Sequence, residues 1–272
     1  MVSVLVDTDL CTRCGICSKI CPAMIIRPAD ENTLPAVPEE RSGMCIRCGH
    51  CEAACPSGAL MLSFHGGERE IIPPGTGVIP AEELGTYMKK RRSVRHYKKK
   101  PVSRELVERV LDIARYAPSG GNAQPVQWLI VQDPEEVRKL AGLTADWMKG
   151  LMGTGHPMEG YVSPFIAAWE RGSDLICRGA PHLVIAHVPA DNPGAMVDAV
   201  IALTYFDLAA PSFGIGTCWA GFLSIAASSH EPLMQALSLP PGRKCAYGLM
   251  FGYPQYQFHR IPERNQVQVT WR

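Results

Sequence analysis

The sequence predicts an α+β protein built from two unequal modules. Three observations carry this. At 272 residues the chain is long for one average domain. Eight of its 11 cysteines lie between Cys11 and Cys55, so the first part of the chain differs in kind from the rest. From Ala81 onward, helix-period segments are interspersed with a few short strand-like runs, the pattern of an α+β sandwich.

Composition narrows the classes. Hydrophobic residues make up 46%, which excludes a largely disordered chain. Lys plus Arg is 27 and Asp plus Glu is 26, a net charge of +1. That balance gives no electrostatic reason to expect nucleic acid or a membrane surface as partner. The opening MVSVLVDTDL lacks the basic start and long apolar run of a signal peptide. Cysteines confined to one stretch do not make a secreted disulfide scaffold. The expectation is a cytoplasmic protein whose clustered thiols are metal ligands.

The elements follow in order. Val2 to Val6 and Leu60 to Phe64 are short strand-like runs able to pair as a ribbon. Asp30-Glu31-Asn32 marks a turn between Met24 to Arg27 and Leu34 to Val37. Residues 65–80, HGGEREIIPPGTGVIP, have four Gly and three Pro and read as a linker. The expected domains are therefore residues 1–64, the linker 65–80, and residues 81–272.

In the larger domain, Ala81 to Lys90 and Ser103 to Tyr116 read as helices, with Ser103 as cap. APSGGNAQP (Ala117 to Pro125) is a dense loop signal, and Val126 to Gln132 a strand. Asp133-Pro134 with Glu135 and Glu136 starts a helix. Residues Thr144 to Gly172 read as less regular, and Pro181 to Val188 as a buried strand. Val197 to Ala210 is an apolar helix. Val197, Val200, Ile201, Thr204, Tyr205 and Leu208 lie on one side, and Ala199, Ala202 and Ala209 on the other. Apolar nearly all round, it must be buried in a core or a subunit interface. Pro232 to Ser238 reads as a helix and Cys245 to Phe251 as a strand.

The uncharged stretch Leu208 to Ser229 is long enough to span a bilayer. Pro211, Gly214, Gly216 and Gly221 interrupt it, and Asp198 and Asp207 precede it. A helix end, a turn and a buried strand fit better.

The cysteines form an internal repeat. CTRCGICSKICP, from Cys11, recurs as CIRCGHCEAACP, from Cys45, offset by 34 positions. Each copy is C-x2-C-x2-C-x3-C-P. Three thiolates spaced by two residues wrap one cubane from a tight loop, and the fourth reaches a second cluster. The spacing assigns Cys11, Cys14, Cys17 and Cys55 to one 4Fe-4S cluster, and Cys45, Cys48, Cys51 and Cys21 to the other. Structural zinc also uses C-x2-C pairs, but needs neither the third cysteine nor the trailing proline. The stretch resembles the bacterial two-cluster ferredoxins over about residues 1–64, with all eight ligand positions matched. Two neighbouring one-electron centres form a wire that needs a terminal acceptor in the second domain.

Arg91-Arg92-Ser93-Val94-Arg95 sets a hydroxyl among arginines. In an extended backbone Arg91, Ser93 and Arg95 share a side and form a phosphate cradle, whereas Lys98 to Lys100 read as a solvated charge run. Asn122 and Gln124 offer amides for the edge of a flat heterocycle. GIGTCWAGF (Gly214 to Phe222) places small residues where a backbone approaches a ligand closely. GYPQYQFHRIPER places Arg260 beside a late strand.

Together these motifs resemble the nitroreductase family of FMN-dependent oxidoreductases, over about residues 82–264. The resemblance implies an α+β homodimer with FMN at the subunit interface. It implies Arg91, Arg92, Ser93 and Arg95, helped by Arg260, at the phosphate and ribityl. Pro118, Ser119, Gly120, Asn122 and Gln124 would come from the other subunit. Trp219, Ala220 and Gly221 would pass the isoalloxazine, with a backbone N–H near N5. Two departures are local: family members can carry a Glu near Ala220 and a Lys where this chain has Phe258.

No G-x-G-x-x-G opens a βαβ unit, so no separate dinucleotide domain is expected. Cys177, Cys218 and Cys245 have no base placed beside them and read as small buried hydrophobes, and His156 and His182 have no metal-ligand spacing. Trp147, Met148, Met152, Met158, Tyr161, Phe165 and Trp169, interleaved with glycines, read as a lid or as core. The expected function is electron transfer from the clusters through FMN to an organic acceptor of nitroaromatic, quinone or enone type. The donor would be a nicotinamide, a ferredoxin or another redox protein. The alternative is a relay subunit serving a protein partner, with no small substrate of its own.

Overall fold

The computed structural model describes residues 4–63, 72–73 and 75–272. The chain divides into two compact units, with the boundary between Val78 and Ile79; Gly121–Ala123 group with the first unit. Residues 64–71 and Pro74, and so half of the expected linker, lie outside the described residues.

In the first unit, β1 (Val4–Val6) pairs antiparallel with β2 (Leu60–Leu62), Val4 opposite Leu62 and Val6 opposite Leu60. This is the expected ribbon; Val2 and Phe64 fall outside the described residues. Two short helices, α1 (Ile16–Ile20) and α2 (His50–Ala53), carry the two repeats. Their backbones match. Gly15 and Gly49 have φ of 73° and 75°, and Arg13 and Arg47 both have φ of 54°. The glycines adopt this left-handed form without steric cost, while the arginines hold it against their Cβ. An isolated bridge joins Arg27 to Ala36. Between them the Asp30 carboxylate accepts the N–H groups of Asn32 and Thr33 at 2.8 and 2.7 Å, making the expected turn. Among the described residues, Ile25, Ile26, Pro35, Ala59, Leu60 and Leu62 are the buried apolar side chains.

The second unit is a sandwich around one antiparallel sheet of order β3-β4-β6-β5. These strands are β3 (Gln127–Val131), β4 (His182–Pro189), β5 (Gly216–Trp219) and β6 (Arg243–Gly252). Strand β4 shows why both faces are covered. Leu183 and Ile185 belong to one core cluster, while Val184, Ala186 and Val188 belong to the other. Alternating side chains leave opposite faces of a strand, and here both sets are apolar.

Helices α5 (Pro134–Lys149), α6 (Glu159–Glu170), α8 (Gly221–Ala226) and α9 (Glu231–Leu237) supply the first cluster. Helices α4 (Arg104–Ala114) and α7 (Ala195–Ala209) supply the second. Helix α3 (Ala81–Lys90) has no buried residue, but the Tyr87 hydroxyl donates to the Leu208 carbonyl at 2.6 Å. Both expected caps form: the Ser103 hydroxyl accepts from Leu106 N–H and the Asp133 carboxylate from Glu135 N–H.

One reading needs correction. Thr144 to Gly172 is mostly helical, because α5 runs on to Lys149 and α6 fills Glu159–Glu170 despite Pro164. The structure also settles which side of α7 faces the sheet, which the sequence left open. Its alanine side is the buried one: Ala195, Ala199, Ala202, Leu203 and Phe206 pack in the second cluster, while Val197, Val200 and Tyr205 are exposed. Small residues let the helix sit close to the sheet, and that proximity outweighs the larger apolar residues opposite. The stretch Ala195–Phe213 is apolar and long enough to cross a membrane by composition. Here it ends in a short 3-10 turn, and the chain continues into β5 and α8.

Candidate functional site

The eight N-terminal cysteines gather into two sets. Cys11, Cys14, Cys17 and Cys55 line one hollow, with Val6, Ile16 and Leu60. Cys21, Cys45, Cys48 and Cys51 line a second hollow, with Ile25, Ile26 and Leu62. Each hollow thus takes three thiols from one repeat and one from the other. The left-handed turn before α1 or α2 curls three thiols around the space, and the fourth comes from the far end of the opposite repeat. All eight are free thiols. Among the described residues no three Cys, His, Asp or Glu side chains converge as a single metal ion requires. Four thiols around a void suit a multi-atom cluster better than one tetrahedral ion.

The thiols differ in acidity. Burial raises the Cys17 pKa, and pushes that of Cys51 up to about 11. Burial acts on Cys55 in the same sense, but the N–H groups of Leu60, Ala59 and Ser57 and the Ser57 hydroxyl outweigh it and lower the pKa. Ligation therefore has to expel protons that the free thiols retain at neutral pH, most of all from Cys51.

In the second unit the RRSVRHY segment is extended. Val94 N–H donates to the Thr217 carbonyl at 2.8 Å, and Tyr97 bridges Pro254. Arg91 Nη1 lies 3.5 Å from Asp207 Oδ2. The same carboxylate accepts the Thr217 hydroxyl and, at 3.3 Å, the Trp219 indole N–H. Arg92 Nη2 donates to the Lys89 carbonyl at 2.6 Å, and Arg95 Nη1 to the Ser93 carbonyl at 3.4 Å. Arg92 Nε is buried with no hydrogen-bond acceptor, and Arg91 Nη1 makes no hydrogen bond beyond its ion pair with Asp207. A buried guanidinium donor left without an acceptor is costly, and an anionic group at this segment would satisfy it.

The Pro118–Gln124 loop is organised from within. The Ser119 hydroxyl accepts the Gln124 N–H at 2.9 Å, and the buried Asp198 accepts the Gly120 N–H at 3.0 Å. Asn122 and Gln124 have φ of 54° and 46°, and Pro118 and Gly120 are exposed. Within the first unit, the Asn122 amide donates to the carbonyls of Ile46 and Arg47 at 3.1 and 3.0 Å.

The small residues of GIGTCWAGF serve the fold more than a ligand. A Cβ at Gly216 would lie 2.5 Å from a Val94 methyl, and one at Gly221 would lie 3.2 Å from the Tyr247 hydroxyl. Ala220 is buried and gives its N–H to the Gly248 carbonyl at 2.9 Å. Trp219, fixed by Asp207, packs edge-on to Tyr247 at 5.1 Å.

Beside these residues a hollow of about 580 Å³ brings together Arg95, Arg178, Cys218, Trp219, Gly221 and Phe222. Met158 from the expected lid region also lines it. Trp147 and Met148 are core, and Tyr161 and Phe165 stack against Phe222 at 5.9 and 4.7 Å. Burial raises the Cys218 pKa, with Arg95 and Arg178 opposing the rise. Arg260 is exposed on the C-terminal segment and does not line this hollow. Sequence reasoning missed Arg178 and the buried acids Asp198 and Asp207. The signal for the acids was present: a carboxylate within a very apolar helix is rarely buried without a partner.

A family model described as the nitroreductase family matches residues 88–253, well over half of the chain. The chain belongs to the nitroreductase family. A 4Fe-4S dicluster domain model matches residues 10–60 of this nitroreductase-family protein. The FMN reductase (NAD(P)H) of Bacillus subtilis strain 168 is 28% identical over 192 residues, 66% of this chain and 69% of the relative. An NADH dehydrogenase of Thermus thermophilus is 40% identical over 62 residues, 23% of this chain and only 30% of that protein. A nitroreductase of Desulfitobacterium hafniense DCB-2, solved with bound FMN, shares the fold. Its TM-score is 0.57 at 23% identity, covering 70% of this chain and 98% of that one.

Proposed function

We propose that this nitroreductase-family protein carries electrons from two 4Fe-4S clusters in its first unit, through FMN in its second, to a small organic acceptor. The observation that carries the reading is the crossed arrangement of thiols, four around each of two hollows. Cys11, Cys14, Cys17 and Cys55 would hold one cluster, and Cys21, Cys45, Cys48 and Cys51 the other. The clusters supply one-electron transfer, and the flavin supplies the step from single electrons to electron pairs.

The residues present fit a flavin phosphate. Arg92 buries an Nε that lacks a hydrogen-bond acceptor, Arg91 Nη1 has only the long Asp207 ion pair, and Ser93 and Arg95 extend the same segment. Asp207 holds Arg91 and Trp219 in place for that role. Trp219 and Gly221 line the hollow in which the ring would lie. No acid–base side chain is assigned.

We also propose a homodimer. The exposed side of α7 carries Val197, Val200 and Tyr205, and the irregular C-terminal segment exposes Val267, Val269 and Trp271, Trp271 being 89% exposed. A second copy of the chain would cover these apolar surfaces. The free thiols fit a reducing, cytoplasmic compartment.

Anaerobic reduction by dithionite, NADH, NADPH or reduced ferredoxin, followed by a nitroaromatic, a quinone or an enone, tests the activity. Rapid reoxidation of the flavin by at least one acceptor is expected. Failure with every small acceptor, together with tight co-purification of a redox protein, would establish the relay alternative instead.

A further inference from the structure

The hollow beside Trp219 is lined by two guanidiniums, Arg95 and Arg178, by the Cys218 thiol and by apolar side chains. Leu175, Ile176, Ile225 and Met250 complete the lining. Among the described residues, no carboxylate forms an ion pair with Arg95 or Arg178. Arg95 is exposed and Arg178 half-buried at the mouth of this hollow, so both guanidiniums are free to meet an anionic ligand entering it.

The placement of Arg178 is built, not incidental. The Asp174 carboxylate accepts the N–H groups of Ile176, Cys177 and Gly179 at 2.8, 2.8 and 3.1 Å, which closes the 174–179 loop. Cys177 is fully buried beneath it. Arg178 is held at φ 60°, in the left-handed region that an arginine adopts only when its surroundings dictate it. Its guanidinium lies over the Phe165 ring, 5.9 Å from the centroid, with the side chain half-buried. An arginine that served only solubility would need neither the strain nor the clamp.

We propose that Arg178 is a binding residue for an oxyanion carried on a flat apolar body, the carboxylate of an acidic acceptor. The proposal rests on the reading of this hollow as the flavin and acceptor site. A guanidinium recognises carboxylate and phosphate through the same paired N–H donors, so the phosphate of the flavin is the second source of this chemistry.

The test uses the holoprotein and Arg178→Asn. Asparagine tolerates positive φ, so the loop is expected to keep its shape while the charge is lost. The KM is measured for 4-nitrobenzoate and for nitrobenzene, with FMN affinity followed by fluorescence. A rise of about tenfold or more in KM for 4-nitrobenzoate, with nitrobenzene and FMN unchanged, supports the acceptor carboxylate. A comparable loss of FMN affinity, with both KM values unchanged, keeps the oxyanion role but moves it to the flavin phosphate. No change in any of the three overturns the proposal. Calorimetric titration of benzoate into oxidised holoprotein keeps this separate from the activity. If neither nitro compound turns over in the parent, the acceptor reading fails. Loss of benzoate binding in Arg178→Asn then still supports the oxyanion site, and benzoate binding that is absent or unaltered by the substitution overturns it.

Discussion

Asp207 shows how a single side chain organises the second unit. Its carboxylate, buried on α7, meets Arg91, the Thr217 hydroxyl and the Trp219 indole N–H. It therefore ties the arginine segment to the strand that lines the hollow. Substituting Asp207→Asn preserves shape but removes the counter-charge of a mostly buried guanidinium. Leaving one partner of such a pair uncompensated costs about 3 kcal/mol, less where water still reaches the arginine. The urea midpoint should fall with an unchanged slope, and an unmoved midpoint would show that solvent already compensates Arg91. The arginine motif was legible because alternation along an extended backbone is a local property. Its buried partner was not, because pairing across 116 positions, from Arg91 to Asp207, depends on the sheet. Arg178 had no local signal either, since its conformation comes from the turn that Asp174 closes.

At the scale of elements, capped and punctuated segments were readable to within a residue or two: α3, α4, β3, β4 and the start of α5 follow from Ser103, Asp133-Pro134 and runs of apolar residues. What stayed open was the orientation of α7, and what failed was the reading of a segment of mixed composition. Two faces of α7 are both apolar, so periodicity could not choose between them, and the glycines between α5 and α6 masked two ordinary helices. Strand β4 gives a pH prediction. His182 Nε2 accepts the Val102 N–H at 2.9 Å, with Nδ1 2.8 Å from the Gln132 carbonyl. His187 Nδ1 accepts from Arg243 Nε at 2.6 Å. Burial lowers both pKa values, and Arg243 lowers that of His187 further. A histidine held neutral in the fold binds its proton more readily when unfolded. Its contribution to stability is thus complete above the unfolded pKa, near 6.5, and is lost as pH falls below it. The slope is at most about 1.4 kcal/mol per pH unit for each ring. Urea midpoints from pH 8 to pH 5 should decline below pH 6.5, and His187→Gln should flatten the decline. Equal slopes in parent and variant would remove His187 from the account.

At the scale of the whole molecule, the two units differ in what holds them together. The second has a sheet covered on both faces by two apolar clusters. Among the described residues, the first buries Ile25, Ile26, Pro35, Ala59, Leu60 and Leu62, and its sheet is a three-residue pair. So small a core does not usually sustain a fold without disulfides, metal or a partner. Its cysteines are free, so the clusters must supply the missing cohesion, as metals do in other small domains. Arg13 and Arg47, strained at φ 54°, fit that picture, because ligation of the neighbouring thiols would hold a turn that the chain alone disfavours. Oxidative removal of iron under a chelator should therefore unfold the first unit and leave the second folded. Limited trypsinolysis read by mass spectrometry gives the pattern. Cuts after Arg13, Lys19, Arg41 and Arg47 should appear in iron-free protein and be suppressed in loaded protein. Arg138 and Lys139, within α5, should resist in both. Resistance at Arg13 and Arg47 after iron removal would show that this small apolar core suffices, and that the clusters are passengers on a fold that stands without them.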